Sequence, residues 1–287
     1  MKEKAKKKER KFTFAEEVSR TLLTTYRKRI WGKFTKAIKM YELIKDGDKI
    51  AVCISGGKDS FLLAKLFGEL KKHGVKNFEV GYIIMNPGFD KATLDSIKKN
   101  IKLLDINATI FKTDIFKSIG EMNLRSICYM CGRMRRGNLY SKAKEMGFNK
   151  IALGHHFNDI IETSLINILY SGKVRTMLPK LKSDNFEGME LIRPLYFVEE
   201  HDIIEFWKRC GVTFASCGCP FAAQVREGGD EGKRAEVKKL IAKLKKTSPQ
   251  LDLNIFRSME NIEKNSILGW HVYGTDERGT FLDDYDK

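Results

Sequence analysis

The sequence predicts an α/β fold: a parallel β-sheet with helices packed on both faces, plus helical extensions at the N- and C-terminal ends. Three observations predict it. From Lys49 onward, short apolar runs alternate with stretches of helical periodicity. The first of those runs stops abruptly in a Ser-Gly-Gly turn that opens a helix. And 287 residues are enough to bury a sizeable core, as one large domain or one with appendages.

In chain order, residues 1–11 are nearly all Lys, Glu and Arg and read as a solvated tail. Residues 12–45 carry Val18, Leu22, Tyr26, Ile30, Phe34, Ile38 and Tyr41 at roughly helical spacing, interleaved with Arg20, Arg27, Lys28, Arg29, Lys33, Lys36 and Lys39. That is one or two amphipathic helices, apolar side on the core and basic side out. Strands are expected at 49–54, 78–85, 108–113, 150–153 and 190–192, and helices at 59–73, 90–104, 132–146, 158–170 and 199–210. Lys173, Arg175, Lys180 and Lys182 follow Gly172 in an expected loop. Basic amphipathic helices are expected at 233–246 and 249–263, and the chain ends in an acidic stretch with no assigned role. There is no internal repeat.

The formal charge is +16, from 53 Lys and Arg against 37 Asp and Glu. Such an excess suits a polyanionic partner, nucleic acid or an anionic membrane face, and charge alone does not choose. No apolar run approaches the length that spans a bilayer, and the charged N-terminus has no signal-peptide core after it. A cytoplasmic protein without a membrane partner is expected. In that reducing compartment the six cysteines point to metal ligation or catalysis before disulfides.

The turn itself is Ser55-Gly56-Gly57-Lys58-Asp59-Ser60. A buried strand feeding a glycine turn and a helix start offers unpaired N–H groups to an anion, and glycines let that backbone come close to a phosphate. Lys58 adds a point charge and Ser55 and Ser60 add hydroxyls. It is not a Walker A loop, because Val52 and Asp59 stand where that motif needs Gly and Ser or Thr, and it lacks the spaced glycines of a dinucleotide fingerprint. The hexapeptide resembles the PP-loop of the ATP pyrophosphatases. The resemblance implies ATP split between its α- and β-phosphates, with adenylate passed to a substrate oxygen. Ser55, Gly56, Gly57 and Ser60 would hold the pyrophosphate and Lys58 neutralise it. Asp59 would hold Mg²⁺ or cap the helix. Because ligands of parallel sheets sit beyond the carboxyl ends of the strands, residues 55–60, 85–89, 113–114 and 154–159 should border one crevice.

Cys128-Tyr129-Met130-Cys131 is a CxxC, a spacing shared by redox pairs and metal sites. Cys217-Gly218-Cys219-Pro220 could complete a three- or four-thiolate site. Cys53, inside a strand, and Cys210, on an apolar helix, read as inert core thiols.

With these motifs the resemblance widens. Cys128-x-x-Cys131-Gly-Arg-x-Arg-Arg-Gly, Lys150-Ile-Ala-Leu-Gly-His-His-x-x-Asp159, Gly172-Lys173 and Ile192-Arg193-Pro194-Leu195 together resemble the tRNA 2-thiocytidine synthetases and their sister 2-thiouridine synthetases. That resemblance covers most of residues 49–256 and implies a Rossmann-like PP-loop ATPase fold. It divides the chain into a basic tail and helical extension (1–47), a PP-loop ATPase domain (48–216), and a third-cysteine loop with C-terminal helices and tail (217–287).

It also implies a 4Fe-4S cluster on Cys128, Cys131 and Cys219, with Cys217 as the alternative third ligand. Three thiolates on four irons leave one iron to carry sulfur. The implied reaction is ATP- and Mg²⁺-dependent tRNA thiolation. A base carbonyl, expected at C2 of a cytidine, is adenylated, and sulfur then displaces AMP. Implied site residues are Asp159 as base or metal ligand, Arg135 steadying developing charge, and Met85, Gly154 and His155 beside the nucleotide. Arg136, Lys173, Arg175 and Lys180 are expected on tRNA phosphates. Expected partners are tRNA, a sulfur donor (a cysteine desulfurase or free sulfide) and a second copy in a homodimer.

The third cysteine follows the thiouridine pattern, Cys-Pro-aromatic, while the body follows the thiocytidine one. The zinc-binding cysteines usual at both ends of the thiouridine branch are absent here. Two rivals are a cluster-free PP-loop ligase, amidating or lysidine-forming, and a basic RNA-binding protein with a degenerate nucleotide fold.

Overall fold

The structure is a computed structural model that describes residues 11–74, 76–122, 127–215, 218–221 and 230–285. At its centre lies a six-stranded sheet. Its strands are β1 (Lys49–Ile54), β2 (Glu79–Asn86), β3 (Ala108–Lys112), β4 (Lys150–Ala152), β5 (Lys180–Lys182) and β6 (Glu190–Ile192). The order is β3-β2-β1-β4-β6-β5, parallel throughout except for β5, which runs antiparallel to β6 at the edge. The helices are α1 (Phe14–Leu23), α2 (Gly32–Met40), α3 (Lys58–His73), α4 (Lys91–Leu103), α5 (Ile115–Gly120), α6 (Ile127–Glu145), α7 (Phe157–Ser171) and α8 (Glu200–Cys210). Two more follow, Asp230–Leu244 and Leu251–Ser258.

Strand β1 explains the layering. Successive side chains of a strand point to opposite faces. Ile50, Val52 and Ile54 enter the larger core with Phe61 and Leu62 of α3 and Phe206 of α8. Ala51 and Cys53 enter a second core with Tyr140 and Ala143 of α6. Both faces are therefore apolar, which is why the run carries no polar alternation. Burial pushes the Cys53 thiol up and raises that of Cys210 to about 11, in keeping with packing roles.

The N-terminal helices belong to the larger core: Val18, Leu22, Ile30, Phe34 and Ile38 all pack into it. Helix α1 starts where Thr13 and Glu16 cap each other, the Thr13 N–H donating to Glu16 Oε2 at 2.8 Å and the Glu16 N–H to Thr13 Oγ1 at 3.3 Å. A π-helical turn, Arg27–Trp31, joins α1 to α2, so the single periodic stretch is two helices.

Elsewhere the structure differs from the expectation in four places. Lys180 and Lys182 lie on edge strand β5 and not in a loop, because the Lys-Leu-Lys triplet pairs through its backbone with β6. Helix α6 starts at Ile127 and so includes the CxxC. Helix α5 is too short, at six residues, to show a period. The terminal stretch contains a hairpin, Gly269–His271 against Arg278–Thr280. Residues 1–10, Cys217 and the end of the acidic tail lie outside the described residues.

Strands β2 and β3 lie on one side of β1, while β4 and β6 lie on the other. The connections leaving β1 and β4 thus diverge, and a crevice opens at their carboxyl ends. Among the described residues no helix is long and apolar enough to cross a membrane.

Candidate active site

The turn after β1 is built to receive an anion. Gly56 has φ +95°, and a Cβ there would meet Ile97 Cδ1 at 2.8 Å, so only glycine fits. Helix α3 begins after Gly57 without a side-chain cap, which leaves its first N–H groups open. Ser60 does not cap; it closes the loop, its Oγ donating to Gly57 O at 2.8 Å and accepting from the Ser55 N–H at 3.1 Å. These bonds tie the loop together through its own residues.

The end of β4 supplies the facing wall. Gly154 lies so near the loop that a Cβ would sit 3.1 Å from Ser60 N and 3.2 Å from Asp59 C, backbone atoms that cannot give way. His156 follows, its Nε2 3.9 Å from Asp59 Oδ1. Asp159 in the first turn of α7 accepts the His156 N–H at 3.0 Å. Burial raises the pKa of Asp59 against the pull of His156 and Lys58. Burial, reinforced by Arg193, lowers His155 to about 4, so its imidazole is neutral at physiological pH.

Buried polar atoms without a hydrogen-bond partner gather here. Among the described residues they are Asp59 Oδ1, Thr113 Oγ1, His155 Nδ1, His156 Nδ1, Arg193 Nε and Arg135 Nε, with Asp252 Oδ1 as the exception elsewhere. Asp59, Thr113, His155, His156 and Arg193 all lie just past the carboxyl ends of β1, β3, β4 and β6. An unsatisfied buried polar atom is costly, and a cluster of them at a strand-end crevice marks a ligand's place.

Helix α8 holds the loop from below. Trp207 Nε1 donates to Lys58 O at 2.9 Å, and the Glu200 N–H donates to Asn158 Oδ1 at 2.9 Å. Lys58 Nζ lies 3.2 Å from Asp59 and 3.1 Å from Glu200. Glu200 also accepts from Lys238 at 2.6 Å. Burial alone would raise Glu200, but hydrogen bonds from Lys238 and Lys58 outweigh it and hold the carboxyl at about 2. A carboxylate held below its unfolded value stabilises the fold above the ordinary carboxylate range and loses that contribution as pH falls toward its folded pKa. Glu200→Gln is therefore expected to lower stability at pH 7 by about 3 kcal/mol at most. In urea titrations the gap to wild type should close between about pH 5 and pH 2.

On the other side of the loop a cavity of about 230 Å³ is lined by Ser55, Gly56, Gly57, Phe89, Thr93, Ile97, Arg135, Gly218 and Cys219. Arg135 lies over the Phe116 ring at 5.5 Å. Cys131 and Cys219 pack on one small apolar cluster, Met85, Ile115, Phe116 and Ile119. Cys128 stands one turn before Cys131 on α6, and its side chain lies outside the described residues. Cysteine sulfurs are soft donors that suit an iron–sulfur cluster, and two of them pack on one apolar cluster, so the residues present fit that group.

Met85 contributes its side chain to this floor and does not line the cavity. Arg136, Lys173 and Arg175 are exposed and are not among the residues that line it. A second acidic group, His201, Asp202 and Glu205, is already filled by Arg29, whose Nε donates to Asp202 at 2.7 Å.

Residues 25–217 match the PP-loop domain family. The tRNA-cytidine(32) 2-sulfurtransferase of Syntrophotalea carbinolica is 36% identical over 81% of this chain and 88% of its own length. That of Coxiella burnetii is 34% identical over 83% and 91%. The chain belongs to the tRNA-cytidine(32) 2-sulfurtransferase family. Among solved structures, the U34-tRNA thiolase NcsA of Methanococcus maripaludis, with its 4Fe-4S cluster, superposes with a TM-score of 0.61 at 23% identity, over 88% of this chain and 80% of that one. That likeness shows the same fold.

Of the expected site residues, Ser55, Gly56 and Gly57 line one cavity with Arg135 and Cys219, while His156 and Asp159 stand at the end of β4 and the start of α7, with His156 facing Asp59 of the turn. Sequence reasoning missed Glu200, Arg234 and Lys238. The acidic start of α8 was a faint signal for the first. Nothing local signals the other two, because their partners lie 75 and 38 residues away.

Proposed function

We propose that this chain is an ATP-dependent tRNA thiolase that replaces the C2 oxygen of a cytidine by sulfur. The observation that carries the reading is one cavity that joins Ser55, Gly56 and Gly57 to Arg135 and Cys219. A phosphate site and a thiolate thus open to the same substrate. A cluster-free ligase would have no use for Cys219 there.

ATP lays its pyrophosphate on the open N–H groups at the start of α3, with Lys58 beside it. The base oxygen attacks the α-phosphorus and pyrophosphate leaves. The residues contribute position and charge: backbone donors at the loop, and a guanidinium at Arg135 with an unpaired Nε. Asp59, whose buried Oδ1 lacks a partner, and Asp159 are the oxygens offered to Mg²⁺. Neutral His155 and Gly154 border the nucleotide, with the backbone of Met85 near the adenine. A 4Fe-4S cluster on Cys128, Cys131 and Cys219 would supply the nucleophilic sulfur that displaces AMP.

In the same reading Arg136, Lys173, Arg175 and Lys180 meet tRNA phosphates, which the net charge of +16 favours. Sulfur comes from a cysteine desulfurase or free sulfide. The enzyme acts in the cytoplasm as a homodimer, and its chain divides at 47/48 and 216/217.

The test uses anaerobically reconstituted protein with tRNA, Mg²⁺–ATP and sulfide. Stoichiometric AMP and 2-thiocytidine are expected. AMP without a thiolated nucleoside would move the chain to a ligase, and neither product would leave an RNA-binding fold.

A further inference from the structure

The helix Asp230–Leu244 lies along α7, anchored by buried Val237 and Ile241. One turn apart, it extends two cations toward the site. Arg234 Nη1 donates to Asp159 Oδ1 at 3.1 Å and Nη2 to Thr163 Oγ1 at 3.4 Å, and its Nε lies 3.9 Å from Glu162. Lys238 donates to Glu200 at 2.6 Å, on the carboxylate that also holds Lys58. Lys238 is thus one carboxylate away from the loop lysine, and Arg234 is bound to the very oxygen offered to Mg²⁺.

Mg²⁺ and nucleotide phosphates would compete for the same groups that these two pairings use. Mg²⁺ is a hard cation that takes carboxylate oxygen. Once it draws on Asp159, Arg234 keeps only Thr163 and the more distant Glu162, and a triphosphate arriving at Lys58 competes with Glu200 for both lysines that the carboxylate holds. Two cations with weakened or contested ties and an incoming polyanion then lie side by side. Both side chains are about half exposed, at 48% and 57%, so they can turn without unpacking the helix. Arginine's planar fork matches phosphate.

We propose that Arg234 and Lys238 form a phosphate clamp, exchanging Asp159 and Glu200 for the β- and γ-phosphates when Mg²⁺–ATP binds. The proposal rests on the reading that the loop at Ser55–Ser60 binds ATP. It gives the departing pyrophosphate two further cations, which is where charge develops in phosphoryl transfer.

Calorimetry on the full chain separates the outcomes, with Mg²⁺–α,β-methylene-ATP, Mg²⁺–pyrophosphate and AMP as probes. Arg234→Gln and Lys238→Gln should each weaken the ATP analogue and pyrophosphate roughly tenfold to a hundredfold. AMP should be unaffected, and Arg234→Lys should recover part of the loss. Tyr170→Phe cuts the 2.5 Å tie from Tyr170 to Glu236 on the same helix and should bind all three as wild type does. Equal weakening of AMP would make the contacts merely structural and overturn the clamp. Unchanged binding would overturn it too, and tighter binding would show the cations to be a plug. A wild-type chain that binds neither ATP analogue nor pyrophosphate would overturn the nucleotide reading itself, and the clamp with it.

Discussion

Cys219→Ala protein is expected to bind Mg²⁺–ATP as wild type does and to make no thiolated tRNA. The two halves of that expectation rest on different parts of the structure. In the proposed function ATP meets the turn after β1, which Ser60 and Gly154 hold in shape without help from any cysteine. The residue lost packs on Met85, Ile115, Phe116 and Ile119, a cluster that keeps its other members. The substitution should therefore cost little stability, while one of the three proposed cluster ligands goes. Visible absorption of the reconstituted protein and nucleoside analysis of the tRNA read the loss, and nucleotide titration reads what survives. Cys131→Ala should behave in the same way. Cys53→Ala and Cys210→Ala should keep activity, since burial raises both thiols and both pack in the cores. Thiolation that persists in Cys219→Ala would remove this residue from the sulfur chemistry and turn attention to Cys217.

How far the sequence alone reaches can be argued from particular elements. Strand β1 was legible because a strand buried on both faces is apolar along its length, and that leaves an unmistakable run; β2 and the edge strand β3 are only partly buried and carry a weaker version of the same signal. Edge strand β5 was not legible, because Lys180-Leu181-Lys182 is held by backbone pairing and its side chains carry no signal. The turn Ser55–Ser60 was legible as a tight strand-to-helix turn from its glycines and the strand before it. That Cys131 and Cys219 share an apolar floor was not, since spacing says nothing about a distance closed by the fold; only the family resemblance pointed there. Arg234 and Lys238 show the limit most clearly. Their helix reads simply as basic and amphipathic, and only packing on α7 gives two of its cations a task that the other lysines lack.

Gly56→Ala is expected to damage both fold and nucleotide binding, and its neighbour separates the two. At φ +95° an alanine is held in a region that costs of order 1–3 kcal/mol. Its Cβ would also lie 2.8 Å from Ile97 Cδ1. Ile97 is buried at 1% exposure, so the strain cannot be shed into solvent and the turn must open. Opening it pulls the Ser55–Ser60 bonds apart and misaims the N–H groups at the start of α3. Melting should fall by several degrees, and ATP affinity by roughly tenfold or more. Gly57→Ala tests the ligand alone. The added methyl would find nothing nearer than Ser55 Oγ at 3.9 Å, and the backbone there, at φ −87°, accepts any residue. Its melting temperature should match wild type. Should its ATP affinity nonetheless drop, the methyl must be meeting a phosphate that rests on the backbone of Gly57. Unchanged affinity in Gly57→Ala would instead move the pyrophosphate off this turn, and with it the cavity shared with Cys219 would lose its role in adenylation.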